Sequence, residues 1–470
     1  MSDDLRAKCS CSACGNHLDF PVEAAGQVIN CPHCGDPTEL SLIAPSPASD
    51  RPSAAELVAA FEGTIPRTRV SVLYQLGLVL VSLVMVLLPL IYVMMIGAAA
   101  WGVYEYATHF LFLVQGMRGG PYFYLIKLVL YIAPLFAGVV LVFFMIKPLF
   151  ARRPPQVQPL AMNPALQPAL YAVIARISDL VGAPMPVRIS LDCNLNASAG
   201  FRKGASSLLS NDLVLTIGLP LVAGLNLQQF VGVVAHEFGH FSQGFGLRLS
   251  YLIRSINLWF ARVVYERDAW DVSLEQWSME VEDWRAMLVA TCARMVVGLS
   301  RLFLKLLMFL GHGVSCFLLR QMEYDADSYQ IKIAGSTALE STMRRLAVLG
   351  VALGKAYKEM RTAWNLNRKL PDNLPSYLAF HESKLPPALK QKVQDTLGLS
   401  RTGVFDAHPS DGDRIRRARQ AGDPGVFHLE LPASVLFSHF DIVARQVTHL
   451  HYSDDLGLSI DNSNLRAVLK

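Results

Sequence analysis

Val70 to Ala100 is a run of 31 residues without one charged side chain. A helix needs ~20 residues to cross a bilayer, so this run is long enough to span one. Leu125 to Phe150 is a second such run, with Lys127 and Lys147 near its ends, where lysine reaches the interface. Pro134 and Gly138 inside it are tolerated in a membrane helix. Together they predict a two-helix transmembrane hairpin over 70–150, with spans at about 70–100 and 125–150. Only 17% of the chain is charged, against the usual ~25%. A net charge of +4 gives no reason to expect a nucleic-acid partner. Arg67 and Arg69 precede the first run, Lys147, Arg152 and Arg153 follow the second, and Arg118 alone lies in the loop before Lys127. That bias places both flanks, and so the N- and C-terminal domains, in the cytoplasm. The expected location is a multi-pass position in a membrane. The first 60 residues lack a long apolar run, so no cleavable signal peptide is expected.

Residues 1–44 hold Cys11-Ser12-Ala13-Cys14-Gly15 and Cys31-Pro32-His33-Cys34-Gly35. Each Cys-x-x-Cys-Gly is a tight turn that aims two thiolates at one point. Four thiolates make a closed tetrahedral site, structural rather than catalytic, so Cys11, Cys14, Cys31 and Cys34 are read as zinc ligands of a small zinc ribbon. So small a module has little core, and zinc supplies much of its folding energy. Cys9 is an alternate ligand or a bystander. Two redox pairs are the competing reading, disfavoured because no βαβ pattern surrounds them. The ribbon leaves open a protein partner, nucleic acid or simple scaffolding. Residues 45–69, with Pro45, Pro47, Pro52 and Pro66, read as a flexible linker carrying at most a short helix around Ala54–Phe61.

The chemistry concentrates in His236-Glu237-Phe238-Gly239-His240, an H-E-x-x-H pattern. Residues four apart share one helix face, so His236 and His240 are placed to hold one Zn²⁺, with Glu237 beside it as general base and acid. Asn226 and Gln229 form a capping-box pair at the start of that helix. A core helix that happens to carry two histidines is the bland alternative. Glu323 supplies the third ligand of a His₂Glu site, with Asp325 a rival, and Asp327 one turn on can accept the second ring N–H of a ligating histidine. A solvated acidic helix start would account for the same residues. His408, fixed by Pro409, is a candidate oxyanion donor, and Arg414 can pair with an acid near the site or with substrate.

Around these lie an amphipathic helix at 165–181 and strands at 187–191 and 213–217. A small sheet beside such a helix can pair its edge with an extended peptide. Arg248 to Val264 is helical, and Glu266 to Asp283 holds seven acids and one arginine, a solvated excursion. In 286–319, Arg294, Arg301, Lys305 and His312 fall on one helical face. That polar stripe favours a helix lying on the membrane surface or on the catalytic body over a third span. Were it to cross, Arg248–Val264 is the only segment able to cross back. Ser336 to Lys369 reads as a helix, and Leu370 to Pro386 as a loop with His381 on its surface.

From residue 160 to about 420 the motif order resembles the membrane zinc metallopeptidases of the HtpX and CAAX prenyl protease family. The matching pieces are Asn196-Ala197-Ser198-Ala199-Gly200, Gly218-Leu219, the His236–His240 motif, Glu323 to Asp327, Gly335, His408-Pro409 and Arg414-Ile415. The resemblance implies that His236, His240 and Glu323 bind zinc, that Glu237 is base and acid, and that Asp327 supports a ligand. It makes Asn196, Ala197, Ser198 and Ala199 the substrate edge, with His408 and Arg414 at late family positions. The family usually has an aromatic where Ser198 stands, and the ribbon is an addition.

The expected architecture is a multidomain membrane protein: zinc ribbon (1–44), linker (45–69), transmembrane hairpin (70–150) and a mainly α, zincin-like α+β metallopeptidase domain with a small sheet (151–470). The expected function is that of a zinc endopeptidase, holding one catalytic and one structural zinc, with membrane or misfolded proteins as substrates by resemblance. One rival is a CAAX-type processing protease, for which two clear spans are too few to build an intramembrane chamber. The other is a membrane-anchored binding or regulatory protein that uses the ribbon and leaves the peptidase domain idle.

Overall fold

A computed structural model of the chain describes residues 6–11, 17–21, 24, 27–40, 51–66, 72–113, 120–150, 159–202, 212–242, 245–266, 276 and 284–468. Near the N-terminus, β1 (Arg6–Ser10) pairs antiparallel with β2 (His17–Pro21), and β3 (Val28–Asn30) with β4 (Pro37–Glu39). The segment between β3 and β4 carries Cys31 and Cys34, and Gly35 turns it at φ +81°. Cys11, Cys31 and Cys34 bring their sulfurs within 4.8 Å of one another. Cys14 lies outside the described residues, and Cys9 packs in a small apolar core with Leu18, Phe20 and Leu40.

α1 (Ala54–Ala59) begins at a Ser53–Glu56 capping box. The segment that reads as a linker is docked where it is described: Leu57 and Phe61 are buried in the main core, and the Phe61 ring packs, tilted by 39°, on Phe427 at 4.4 Å. α2 (Val72–His109) and α3 (Pro121–Ile146) follow, tied by Tyr106 Oη to the Leu130 carbonyl (2.7 Å) and Tyr131 Oη to the Ala107 carbonyl (2.8 Å).

The C-terminal body starts with β5 (Leu160–Ala161), α4 (Pro168–Val181), β6 (Arg188–Asp192), β7 (Ala197–Phe201) and β8 (Leu213–Gly218). The sheet order is β5-β6-β8-β7, with β6 and β8 parallel, β7 antiparallel to β8 and lying at the edge. Leu213, Leu215 and Ile217 of β8 are fully buried at period two, which fixes the register against the helices. α5 (Leu219–Gly224) leads into α6 (Leu227–Gly239), whose Asn226 side chain accepts from the Gln229 N–H at 2.8 Å while Gln229 accepts from the Asn226 N–H at 3.2 Å. α7 (Phe245–Tyr265) comes next; the acidic segment after it lies outside the described residues except for 266 and 276.

α8 (Trp284–Ala334) is one helix of 51 residues, about 75 Å at 1.5 Å per residue. The stretch expected to lie on a surface is instead continuous with the segment that carries Glu323. Val297–Ala334 is long and apolar enough to cross a membrane, as are Val72–Phe112 and Pro121–Phe150. α2, α3, α7 and α8 share an apolar core that includes Leu78, Tyr92, Met145, Phe260, Leu304 and Met322. Two members of the polar stripe find backbone partners: Arg301 Nη2 donates to the Glu266 carbonyl and His312 Nε2 lies 2.5 Å from the Phe405 carbonyl oxygen. The Phe405 contact is of the kind expected for a stripe set against the catalytic body.

α9 (Ser336–Asn367) turns back after Gly335, at φ +96°. α10 (Leu374–Ser383), α11 (Pro387–Leu399), α12 (Asp411–Ala421) and α13 (Phe440–Leu450) complete the body. α10 corrects the loop reading of 370–386. Asn373 caps it, Pro375 sits in its first turn, where a proline is tolerated, and Leu374, Tyr377 and Leu378 form a buried face. His381 is therefore buried, edge-on to Tyr377 at 4.5 Å and 3.4 Å from Glu359, not at the surface.

Candidate metal centre and cleft

α6 and α8 meet through a glycine seam. A Cβ on Gly239 would stand 3.0 Å from Ala326 Cα, and one on Gly232 only 2.9 Å from Ala334 Cβ. This close approach lays the acids of α8 against the histidines of α6. His236 Nε2 lies 3.4 Å from Glu323 Oε2, His240 Nε2 lies 3.9 Å from Glu323 Oε1, and the two imidazoles stand edge to face at 4.9 Å. One ligand atom from each of His236, His240 and Glu323 falls within 4.8 Å of the other two, so the three are placed to hold one metal ion. Asp325, the rival ligand, is not in that group and accepts from Gln321 Nε2 at 2.9 Å.

The donor set fits zinc, which takes two imidazole nitrogens and a carboxylate oxygen and keeps a position open. Burial, reinforced by the neighbouring His236, pushes the His240 pKa down to about 3, so that ring is neutral, the form that ligates. Its Nδ1 is buried with no hydrogen-bond partner among the described residues. Burial also disfavours charge on His236, yet hydrogen bonds to Asp327 and Glu323 outweigh it and raise the pKa to about 9. The carboxylates thus draw positive charge to this point, and a divalent cation satisfies the same demand.

His236 Nδ1 is 3.0 Å from Asp327 Oδ1, and Arg414 Nε donates to Asp327 Oδ2 at 2.9 Å, with Arg414 Nη2 2.5 Å from Oδ1. Ser410 caps α12 and so delivers Arg414 one turn into the helix. Arg414 is bound to this acid, which places it behind His236. Glu237 is half-buried; desolvation raises its pKa, opposed by the charge of His236 and by the Ala199 N–H, which donates to Oε2 at 3.1 Å. Ala199 lies on the edge strand β7, so the candidate base and the candidate substrate edge touch.

His408 Nδ1 lies 3.3 Å from Glu323 Oε1, with its side chain 70% exposed, on the rim of the site. A cleft of about 1110 Å³ joins His236, Glu237, His240, Glu323, His408 and Arg414, with Asn196, Ala197, Ser198 and Ala199 and residues of α7 in its walls. Arg254 of α7 was not singled out by sequence reasoning; its Nη2 donates to Glu323 Oε1 at 2.7 Å. Its signal was available, because Ser250, Arg254 and Arg262 recur at helical spacing on a largely apolar helix and all line the cleft.

Residues 164–421 match the family model described as peptidase family M48. The chain is 26% identical over 260 residues to a protein named Protease HtpX from Acinetobacter baylyi, covering 54% of this chain and 72% of that one. It is 25% identical, over the same shares, to Protease HtpX from Acinetobacter baumannii. No solved structure matches it. With three long apolar helices among the described residues and a largely buried His₂Glu group inside the matched region, the chain belongs to peptidase family M48, as a membrane metalloprotease similar to HtpX.

Proposed function

We propose that the chain is a zinc endopeptidase that cuts extended segments of membrane or misfolded proteins at the cytoplasmic face of a bacterial inner membrane. The observation that carries this is the junction of His236, His240 and Glu323 with Glu237, itself hydrogen-bonded to edge strand β7. His236, His240 and Glu323 hold the zinc, which when bound supplies Lewis acidity toward water and the scissile carbonyl. Glu237 takes a proton from the attacking water and delivers it to the leaving amine. Asp327 fixes the tautomer of His236 through Nδ1, and Arg414 is a positioning residue that holds Asp327. His408 donates to the developing oxyanion from the rim. The free edge at Asn196 to Ala199 pairs with the substrate backbone.

Cys11, Cys14, Cys31 and Cys34 hold a second, structural zinc in a ribbon over residues 1–44, which is free to recruit a protein partner. Residues 45–69 join it to the hairpin of 70–150 and the peptidase domain of 151–470. Three cysteines at one point and paired hairpins support this reading.

The test counts zinc on detergent-purified protein and assays casein cleavage. About two zincs per chain are expected, falling to one in His236→Ala/Glu323→Ala. Glu237→Gln is expected to be inactive while still metal-loaded. A zinc count unmoved by the loss of His236 and Glu323 would sink the assignment.

A further inference from the structure

The loop of residues 401–407, between α11 and His408, is held by α8. Arg320 Nη1 donates to the carbonyls of Gly403 (2.8 Å), Val404 (3.0 Å) and Asp406 (3.3 Å). His312 Nε2 meets the Phe405 carbonyl at 2.5 Å, and Cys316 Sγ the Val404 carbonyl at 3.4 Å. Asp406 closes the turn by accepting from the Gly403 N–H at 2.6 Å. Two residues past Asp406, His408 reaches Glu323. The seat of this loop therefore sets where His408 stands.

While its backbone is clamped, the loop turns its apolar side chains outward. Val404 is 77% and Phe405 67% exposed. Neither touches the cleft. The Phe405 ring lies over Gly313 of α8, where an added Cβ would meet it at 3.6 Å. That place is within an exposed apolar stripe of the same helix, Leu302, Leu306, Leu310, Val314 and Phe317, spaced by threes and fours. The stripe continues on both sides of the loop, and most of it lies well inside the stretch long and apolar enough to cross a membrane. An apolar surface continuous with such a stretch has lipid as its natural occupant. The charges agree with a shallow depth. Arg320 and Asp406 border the apolar pair and Arg401 is 75% exposed, a pattern accepted among headgroups and excluded from the hydrocarbon core.

We propose that residues 401–407 form a bilayer-contacting strap. Val404 and Phe405 enter the lipid boundary, and the Arg320 clamp transmits that seating to His408, so cleavage depends on the strap being engaged with lipid. This rests on the placement of His408 in the peptidase site, whereas the lipid contact itself does not.

The test uses the full chain in phosphatidylcholine vesicles. Phe405→Trp, compared with the parent protein, should add tryptophan emission that is lost in vesicles of brominated lipid and kept in unbrominated ones. Added emission that bromolipid leaves untouched overturns the strap. On a soluble peptide, Phe405→Glu should lower kcat roughly tenfold by shifting the loop off its seat, with KM and zinc content unchanged, and Phe405→Leu should retain activity. Arg320→Ala should reproduce the kcat loss, and Arg320→Lys should recover part of it. Full kcat in both Phe405→Glu and Arg320→Ala overturns the relay to His408. A parent protein without zinc-dependent cleavage removes the peptidase assignment instead, and the bromolipid result then still decides the lipid contact.

Discussion

Gly239→Ala adds one methyl group at the narrowest point between α6 and α8. Its Cβ would stand 3.0 Å from Ala326 Cα and 3.0 Å from Tyr329 Cδ2. Carbon atoms rest about 3.5–4.0 Å apart, so the helices must separate by roughly 0.5–1 Å. The obstacles are backbone and a ring that is only 4% exposed, neither of which swings aside like the end of a flexible chain. Ala326 precedes Asp327 and lies three residues after Glu323, so the separation carries the third ligand away from His236 and His240. Metal–ligand distances tolerate only about ±0.2 Å. Zinc affinity should fall about 10–100-fold, the size seen when groups around a ligand set are disturbed, and stability by about 1–3 kcal/mol from overpacking. Competition with a chromophoric chelator measures the affinity, and cleavage of a peptide in excess zinc should recover part of the activity. Gly232→Ala meets Ala334 Cβ at 2.9 Å, one turn before His236 and three turns after Glu323, and Ala334→Gly should relieve it. A Gly239→Ala protein with parental zinc affinity and cleavage would refute the claim that the seam sets the ligand geometry.

Three further outcomes follow from described contacts. Arg414→Met leaves Asp327, 2% exposed, without its cation, and should cost about 3 kcal/mol in thermal unfolding in detergent; Arg414→Lys, which keeps the charge and loses the paired geometry, should recover only part of that. Asn226→Ala removes the cap of α6 and should lower stability by about 1 kcal/mol with the zinc count unchanged. Cys34→Ser should remove one zinc per chain and leave peptide cleavage at the parental rate, while loss of cleavage would tie the ribbon to the site.

Much of the candidate metal centre was legible because it is written in local spacing. His236 and His240 one turn apart, Asn226 and Gln229 at a helix start, and Glu323 and Asp327 on one face need only helix geometry to be read. What escaped depends on long-range partners. Arg254 reads as one more charge on a helix until α7 lies beside α8. Arg301 and His312 read as part of a stripe against the membrane surface or the catalytic body, and only the fold names the carbonyls they meet, 35 and 93 residues away. The prolines at 371, 375 and 386 mimic a loop, and only the packed face of Leu374, Tyr377 and Leu378 discloses the helix and buries His381.

The continuity of α8 makes it a lever. Gly311, packed on Leu88 and Met85 of α2, lies 12 residues from Glu323, an arm of about 18 Å. Rocking the helix about that contact by roughly 5° moves the far end by about 1.5 Å, several times what a metal–ligand bond accepts. Helices adjust their tilt to the thickness of the surrounding hydrocarbon. A thicker or thinner bilayer would therefore act on this protein as a mechanical load, applied at one end of a rigid rod and felt at the carboxylate on the other.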